Sequence, residues 1–341
     1  TEGVIRMAPH QTRRSFLTKT SIGLAGIAGL MALDSTPLGG LARASDNATH
    51  QGHTDTHSGG HFGAPTAYPD FDPHRFLTTF DWGTPTKNLA GQTVREYEIV
   101  AIDKEIEIAR GLKFPAWTYN GQVPGPTIRC TEGDLLRIHF RNEGSHPHSI
   151  HFHGFHPPAQ DGMTAVAPGG EVTYEFVADP FGVHLYHCHV MPLKKHIHKG
   201  LYGGFIIDPP GGRPPAQELV MIMNGFDLDQ NAENEVYAVN SVAFAYQDRP
   251  IPINVGELVR VYLINLTEFD LINSFHLHSA MFKYYPTGTR LDQYVLTDTV
   301  TQCQGERGMI EFAAKFPGHH MFHAHQSEFA ELGWIGLFDA K

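Results

Sequence analysis

The strongest constraint on the fold is that the chain repeats one plan twice. The first copy contains SIHFHG at residues 149–154 and LYHCHV at 185–190, and the second contains SFHLHS at 274–279 and MFHAHQ at 321–326. In each copy a turn with Gly and an acidic residue, then a strand-like segment, precede the first His-x-His motif, and the second motif precedes the last strand-like segment. This shared order predicts an internal duplication, so the chain should fold as two similar units.

The segments between the turns favour strands over helices. Short runs rich in β-branched and aromatic residues are broken by Gly and Pro, whereas helical periods are scarce. This pattern predicts an all-β protein built from sandwiches. The segment 208–215, DPPGGRPP, cannot lie inside a sheet and separates predicted domains at 66–208 and 216–341. A chain of 341 residues with 41% hydrophobic content can fill two cores.

Composition excludes some partners and favours metal binding. The formal charge of −11 argues against nucleic acids and anionic membranes, because both need a basic protein face. Histidine occurs 23 times, against 25 Lys and Arg together, and is clustered, which favours metal ligation. The 3 cysteines are too few and too widely spaced for a disulfide framework. We interpret Cys130 and Cys303 as buried thiols without chemistry, which leaves Cys188.

The first 65 residues are not expected to belong to either sandwich. Arg13 and Arg14 precede an apolar run at 22–33 and small residues up to Ala44, so residues 1–44 resemble a twin-arginine export signal. The apolar run is too short to cross a bilayer. Residues 45–65 are polar and lack an apolar period, which predicts a disordered His-rich tail. We therefore expect a periplasmic or extracellular protein with no membrane anchor after processing.

The His-x-His spacing places both imidazoles of a pair on one side of a strand. Successive strand side chains point to opposite faces, so His151 and His153 share a face with their Cα atoms about 6.6 Å apart. Eight such imidazoles are too many for one metal ion, and imidazole ligands suit copper, zinc, iron or nickel. The motifs supply these pairs: His151 and His153, His187 and His189, His276 and His278, and His323 and His325.

Cys188 lies between two of these histidines, so the same alternation sends its side chain to the opposite face of the strand. A thiolate with two imidazoles is the ligand set of a blue-copper electron-transfer site, and we nominate His148 and His196 as those imidazoles. The two kinds of site would then be joined by a few covalent bonds. The second copy has Asn273 and Ala324 in place of His148 and Cys188, so the mononuclear site is predicted only once.

With HSIHFHG and HCH, residues 92–341 resemble the multicopper oxidases, specifically two-domain laccases with the mononuclear copper in the first domain. The resemblance implies two tandem cupredoxin-like Greek-key β-sandwich domains and four copper ions per chain. By position, His148, Cys188 and His196 would hold a type 1 copper. His151 and His276 would hold a type 2 copper. The ligands of a type 3 copper pair would be His153, His187, His189, His278, His323 and His325.

The region after the cysteine departs from the family pattern. The family's second type 1 histidine, five residues after the cysteine, falls at Leu193, so an inserted loop must bring His196 or His198 to the copper. Leu201 takes the axial position and cannot ligate. This implies a trigonal copper of raised potential, unless Met191 from the inserted loop substitutes.

An acidic residue follows the first His-x-His motif. Asp161, in QDGM, matches an acidic residue that the family places beside the cluster, where it could relay protons to reduced oxygen. Asp-Gly is also a common turn dipeptide, so an ordinary turn is the alternative. The residue type alone does not separate these two interpretations.

The resemblance implies a laccase-like oxidase that takes electrons singly from phenols or similar small reductants and reduces O2 to water. It also implies a ring of three chains, with each cluster between domain 1 of one chain and domain 2 of the next. A cluster within one chain is the alternative arrangement.

Three other functions remain as alternatives. A copper nitrite reductase would need an aspartate in place of His151 and no histidine at position 189. A cuprous-ion oxidase would need a Met-rich insert, which the 9 methionines do not form. A copper storage protein would not need a cysteine between cluster ligands.

Overall fold

Strands make up most of the regular structure, as the residue pattern predicts. The computed structural model describes residues 63–68 and 70–341. The predicted export signal, and all but the last three residues of the predicted tail, lie outside the described residues. The strands form four sheets, two before and two after the segment that joins Asp208 to Gln217. The expectation of an all-β protein built from sandwiches is confirmed.

The first half pairs a five-stranded sheet with a four-stranded one. Its strands are β1 (Thr84–Lys87), β2 (Thr93–Ala109), β3 (Leu112–Tyr119), β4 (Gly125–Thr131), β5 (Leu135–Asn142), β6 (His151–Phe152), β7 (Glu171–Val177), β8 (Gly182–His187) and β9 (Tyr202–Asp208). The larger sheet has the order β1-β2-β5-β7, with β3 also paired to β2, and the smaller sheet has the order β4-β9-β8-β6. The first pair of His-x-His motifs therefore belongs to the smaller sheet.

The second half pairs a six-stranded sheet with a five-stranded one. Its strands are β10 (Gln217–Phe226), β11 (Val236–Val239), β12 (Ile251–Ile253), β13 (Val259–Asn265), β14 (Ile272–Leu277), β15 (Phe282–Pro286), β16 (Val295–Thr297), β17 (Thr299–Cys303), β18 (Arg307–Phe312), β19 (Gly318–His323) and β20 (Ile335–Ala340). The sheet orders are β11-β10-β13-β18-β15-β16 and β12-β20-β19-β14-β17. The second pair of motifs belongs to the β14 sheet.

The two halves repeat each other around the His-x-His motifs. β6 and β8 are antiparallel with His151 opposite His187, and β14 and β19 are antiparallel with His276 opposite His323. The same register in both halves brings two motifs that are distant in sequence together. The duplication predicted from the sequence is thus present in the strand pairing.

Between residues 63 and 341, as far as the structure describes them, the helices are few and short. They are α1 (Pro73–Thr78), α2 (Leu193–His198), α3 (Ala245–Asp248) and α4 (Ser327–Glu331), with one turn of 3-10 helix at Pro158–Gln160. In the part of the chain that the structure describes, none of them has the length and apolar character needed to cross a membrane. α2 matters most for function, because it forms the loop inserted after Cys188.

The segment before β1 packs against the second half. Leu77 of α1 belongs to the second-half core, and the Tyr246 hydroxyl donates to the carbonyl of Pro73 at 2.9 Å. Ala64 is buried, and its N–H donates to the Asp248 carboxylate at 3.0 Å. The last three residues of the predicted tail are therefore packed rather than free.

β8 is buried on both faces, which sets the directions of its side chains. Leu185 packs in a cluster with Ile222 and Ile264 of the second half, so the β8 and β13 sheets lie face to face. Tyr186 and Cys188 instead join the core of the first sandwich. Successive residues of this strand thus enter two different apolar layers, as the period of a strand requires.

A buried ion-pair network ties the two halves together beside this layer. The Arg129 guanidinium donates to Asp208 at 2.8 Å and to Glu218 at 2.7 Å. Arg260 lies 3.2 Å from Glu218, and Arg213 lies 3.0 Å from Asp208. The Pro- and Gly-rich segment between the sheets is thereby fixed to both halves.

Candidate metal centres

Cys188 forms one centre with His148 and His196. All three side chains are buried, and their potential ligand atoms lie within 4.8 Å of one another. The Cys188 Sγ is 3.2 Å from His196 Nδ1, and the Nδ1 atoms of His148 and His196 are 3.3 Å apart. His196 therefore turns its Nδ1 towards both the sulfur and the Nδ1 of His148, and the three side chains form a compact set of one sulfur and two imidazoles.

Three different elements position these ligands. His148 lies after β5, where its N–H donates to the carbonyl of Val166 at 3.0 Å. His196 lies on α2, whose first turn follows Pro192. Cys188 follows β8 directly, and its N–H donates to the carbonyl of Leu201 at 2.9 Å. The inserted loop thus contains the helix α2, and the residue that precedes β9, Leu201, lies beside Cys188.

The structure distinguishes the two histidines that the sequence left open. His198 Nε2 accepts a hydrogen bond from the N–H of Asp227 at 2.9 Å, and its ring packs against Phe114 and Phe269. It is not a member of the Cys188 group, whereas His196 is.

Neither of the two residues considered for the axial position of this centre is placed as a ligand. Leu201 is fully buried in the first-half core and offers no donor atom. Met191 is 74% exposed, which does not suit a ligand of a buried site. The centre therefore offers three donors, as a trigonal site requires.

Burial controls the protonation of the Cys188 centre in the metal-free protein. Desolvation lowers the pKa of both His148 and His196 to about 4, so each ring is neutral at pH 7. Burial raises the pKa of the Cys188 thiol, against the opposing effect of nearby N–H groups. One of them, the Ser149 N–H, lies 3.4 Å from the sulfur. Two neutral imidazoles and one thiol fit a blue-copper ion, which would take the thiolate.

The first two His-x-His motifs meet at the end of the β8 sheet. His153 Nε2 and His187 Nε2 are 3.3 Å apart, and the His151 ring lies 5.3 Å from that of His189. His151 Nδ1 donates to the carbonyl of Asp161 at 3.0 Å, and His187 Nδ1 donates to the carbonyl of Cys188 at 2.9 Å. A carbonyl can only accept, so both rings carry their proton on Nδ1 and keep Nε2 free for a metal.

The second half reproduces this arrangement. His278 Nε2 and His323 Nε2 are 2.9 Å apart. His276 Nδ1 donates to the carbonyl of Asp298 at 2.9 Å, and His323 Nδ1 donates to that of Ala324 at 2.6 Å. The duplication therefore extends to the hydrogen bonds that fix the tautomers, which a metal site needs and a chance cluster does not.

The two histidine groups are separate within one chain. Among the described residues, those of the first half and those of the second half form distinct clusters, and no ring pair joins them. His278 and His325 are exposed. Large apolar side chains beside the groups are exposed as well, including Phe155 at 68% and Phe316 at 66%. Each group thus lies at a surface and shows only half of the predicted cluster.

Asp161 contacts the first-half group. Its Oδ1 lies 3.1 Å from His151 Nδ1 and 3.6 Å from His156 Nε2. Asp161 also follows the 3-10 turn Pro158–Gln160. It is therefore both a turn residue and a residue in contact with the histidine group. His156 and Asp298 carry no signal in the sequence, because neither forms part of a His-x-His pair and the two loops that hold them differ in length.

The mononuclear site is replaced in the second half. Asn273 accepts a hydrogen bond from the Trp334 indole N–H at 3.0 Å and donates to the Thr267 hydroxyl at 2.8 Å. Ala324 is buried and stands where the first half has Cys188. A hydrogen-bonded asparagine thus takes the position of His148, and a buried alanine takes that of Cys188.

The two remaining cysteines differ from each other. Cys130 is buried, as expected. The prediction for Cys303 was wrong, because this residue is exposed on β17, which is the edge strand of its sheet. An edge strand has one side without a neighbour, so an alternating position there can face solvent.

Comparison with known proteins identifies the family of the chain. Two multicopper oxidase family models match residues 101–212 and 213–341. A crystal structure of a multicopper oxidase is 53% identical, with a TM-score of 0.78, and the match covers 79% of this chain and 97% of that one. The copper nitrite reductase of Nitrosomonas europaea is 25% identical, with a TM-score of 0.68 and coverage of 73% and 94%.

A further relative is the copper-containing nitrite reductase of Neisseria meningitidis serogroup A. It is 31% identical over 243 residues, or 64% of this chain. The match spans 62% of that relative's length, which is less than two thirds. The two family models together match residues 101–341, well over half of the chain, and the chain therefore belongs to the multicopper oxidase family.

Proposed function

We propose that the protein is a laccase-like oxidase with four copper ions per chain. His148, Cys188 and His196 would hold the type 1 copper, and His151 and His276 the type 2 copper. The type 3 pair would be held by His153, His187, His189, His278, His323 and His325. When bound, the metals would accept electrons singly from a small phenolic or similar donor and supply the four-electron reduction of O2 to water.

The observation that carries this proposal is the complete imidazole set in both halves. Each half offers two His-x-His pairs, and in each half a pair of Nε2 atoms converges, at 3.3 Å and at 2.9 Å. Such a set suits several metal ions rather than one.

Similarity to nitrite reductases favours a second candidate function. A nitrite reductase of this kind needs only one catalytic copper, with an aspartate at the position of His151 and no histidine at that of His189. Here His151 is an imidazole whose Nε2 is free, and the His189 ring lies 5.3 Å from it. Both residues therefore favour oxygen reduction.

We also propose that the cluster assembles between chains. Each half-set of imidazoles lies at a surface, beside exposed apolar side chains such as Met163 and Phe155 in the first half and Met281 and Phe316 in the second. Exposed apolar patches of this kind mark association surfaces. A closed ring of three chains would bring the first-half set of one chain onto the second-half set of the next.

Asp161 would supply protons for the reduction of O2. Reduction of O2 to water consumes protons, and a carboxylate beside the cluster can hold one for transfer. Its Oδ1 lies 3.1 Å from His151 Nδ1, while the carbonyl of the same residue accepts the hydrogen bond from that ring. Asp161 would thus have two roles: its carbonyl would orient the His151 ring, and its carboxylate would hold a proton for transfer.

We also propose that the protein is exported from the cytoplasm. Arg13, Arg14 and the apolar run that follows them support transport by the twin-arginine route to the periplasm or the extracellular space. This route carries folded proteins, which suits a chain that acquires its metals before transport.

Parallel assays of oxygen and nitrite test the function. Copper-reconstituted protein receives a dimethoxyphenol, and we measure O2 uptake in air and nitric oxide production from nitrite under argon. We expect O2 uptake at four donor electrons per O2, without peroxide, and no nitric oxide. Rapid nitric oxide production without O2 uptake would instead support the nitrite reductase.

His189→Ala sharpens the comparison. The oxidase needs this residue as a cluster ligand, so the variant should lose O2 uptake while it keeps the visible absorption of the copper–thiolate centre. In a nitrite reductase the residue is dispensable, so full turnover of the variant would contradict the proposal.

A further inference from the structure

Three lysines surround the Cys188 centre in a chain that is otherwise acidic. Lys194 and Lys195 lie on α2, and Lys199 caps its C-terminus. None of the three forms an ion pair within 4.0 Å among the described residues. The whole chain carries a formal charge of −11, so this unpaired positive group stands out against its surroundings. A local field of this sign attracts anions.

The Lys199 ammonium lies 4.8 Å from the centroid of the Phe114 ring. Trp117, whose backbone N–H donates to the carbonyl of Lys199 at 2.8 Å, connects Lys195 to the metal ligands. Its ring centroid lies 5.2 Å from that of His148 and 4.9 Å from that of His196. The Lys195 Nζ lies 5.4 Å from the same ring, and the exposed His146 ring lies 4.5 Å from it. Trp117 is buried, so a molecule that approaches the ligands from this side meets the exposed His146 and Lys195 first, with the tryptophan directly behind them.

The neighbouring acids do not cancel this positive group. The Asp103 carboxylate accepts hydrogen bonds from the N–H and the hydroxyl of Ser145, so it is held beside the centre. Glu268 is close enough to Lys194 to interact with it electrostatically, and its carboxylate accepts a hydrogen bond from Gln304. Asp227, beside His198, is a third nearby carboxylate, and it accepts hydrogen bonds from the N–H groups of Gln230 and Ala232. Among the described residues no carboxylate lies within 4.0 Å of the three ammonium groups, so none of them is neutralised by a direct ion pair.

We propose that Lys195 and Lys199, with Trp117, select small anionic electron donors. This inference rests on the proposed function and specifies the substrate class of its type 1 site. The donor loses one electron, no bond forms or breaks, and no proton moves. The electron reduces the copper(II) that the proposed function assigns to Cys188. The ammonium groups raise the local concentration of the anion and hold it against the tryptophan edge.

Steady-state kinetics with donors of different charge test this inference. O2 uptake is measured at low and high salt with ferrocyanide, a neutral dimethoxyphenol and a cationic dimethyl-phenylenediamine. We expect kcat/KM for ferrocyanide to fall steeply with salt, and the neutral donor to be insensitive. The double variant Lys195→Gln, Lys199→Gln should lose about 10-fold in kcat/KM for ferrocyanide at low salt and less than about twofold for the neutral donor.

Two further variants separate charge from structure. Lys195→Arg, Lys199→Arg keeps both charges and should retain the preference. Lys87→Gln removes an exposed lysine at the end of β1, where Lys87 pairs with Thr93, the first residue of β2. Thr93 lies roughly 33 Å along β2 from Asp103. This control variant should leave kcat/KM for all three donors, and its salt dependence, unchanged.

Binding to the copper-free protein gives a readout that does not depend on turnover. Hexacyanocobaltate is redox-inert and anionic, and calorimetry should detect its binding to the parent protein and a loss of binding in the double Gln variant. Equal salt effects for all three donors, or unchanged binding in that variant, would overturn the inference while O2 uptake supports the proposed function. No O2 uptake with any donor would overturn the proposed function and the inference with it.

Discussion

At the scale of single residues, Cys188 links the two kinds of site. Its side chain enters the first-half core, while His187 and His189 belong to the other side of the strand. His187 Nδ1 donates to the carbonyl of Cys188 itself at 2.9 Å. The thiol is therefore joined to a cluster imidazole both through the backbone and through this hydrogen bond, which gives an electron a short covalent route.

Cys188→Ser tests this route. The variant should fold and keep its cluster copper, because serine is nearly isosteric, but it should lose one copper per chain and at least about 100-fold in donor-driven O2 uptake. Copper analysis, visible absorption and oxygen uptake measure these effects. Cys303→Ser is the matched control, since that thiol is exposed and belongs to none of the potential ligand groups among the described residues. Normal turnover in Cys188→Ser would exclude the proposed route.

His196 and His198 provide a second test at this scale. His196→Ala should abolish the visible absorption of the copper–thiolate centre, because its Nδ1 lies 3.2 Å from the Cys188 sulfur. His198→Ala should keep that absorption and lose only the hydrogen bond from Asp227. The opposite pattern in the absorption spectra would assign the ligand to His198.

At the scale of elements, the strands were predictable and the inserted helix was not. Alternation along LYHCHV is a local property of a strand, so it correctly separated Cys188 from its neighbouring histidines. The sequence LKKHIH carries no comparable signal, and both of its histidines were candidates. On a helix, residues two apart differ by about 200° around the axis, so His196 and His198 point to opposite sides and only one can reach the sulfur.

The ion-pair network across β4, β9 and β10 gives a stability prediction. Glu218 accepts hydrogen bonds from Arg129 and from the Tyr262 hydroxyl, and these contacts lower its pKa against the opposing effect of burial. Glu218→Gln leaves Arg129 partly unpaired and should lower the free energy of unfolding by about 2 kcal/mol. Urea unfolding of the copper-free protein measures the change. Glu171→Gln, at an exposed site on β7, should change the stability by less than about 0.5 kcal/mol.

At the scale of the whole molecule, contacts between segments that are distant in sequence could not be predicted from the sequence. Residues 63–68 and 70–78 precede the first sandwich in sequence. They contact it through Arg110 but also pack on the second sandwich, where Leu77 enters the core, the Tyr246 hydroxyl donates to Pro73 and the Asp248 carboxylate accepts from Ala64. No local pattern indicates the target of such a segment. The separation of the two histidine groups is likewise a property of the folded chain, and it is what favours assembly between chains.

Acid should destabilise the copper-free molecule through its buried histidines. Burial lowers the pKa of several rings to about 3 or 4, namely His148, His153, His184, His187, His196 and His198. Unfolded histidines titrate near 6.5, so the unfolded chain binds more protons below that pH. Stability is therefore full above about 6.5 and falls as the pH drops towards 4, by up to roughly 2 kcal/mol per histidine at pH 5.

Thermal unfolding of the copper-free protein between pH 8 and pH 4 measures this dependence. His184→Gln, which removes a buried ring outside the predicted ligand set, should make the loss of stability with acid shallower. A stability that is flat from pH 8 to pH 4 would show that these rings do not stay neutral in the fold.

The central claim is that imidazoles from the two halves act as one oxygen-reducing cluster between chains, and mixing two inactive variants tests it most directly. His151→Ala damages the first-half set and His276→Ala the second-half set, so each homogeneous protein should be inactive. When both chains are co-expressed in equal amounts, roughly a quarter of the interfaces in random rings combine two intact half-sets. We predict recovery of about that fraction of the parent O2 uptake. No recovery from mixed rings that retain the copper–thiolate absorption would contradict a cluster shared between chains.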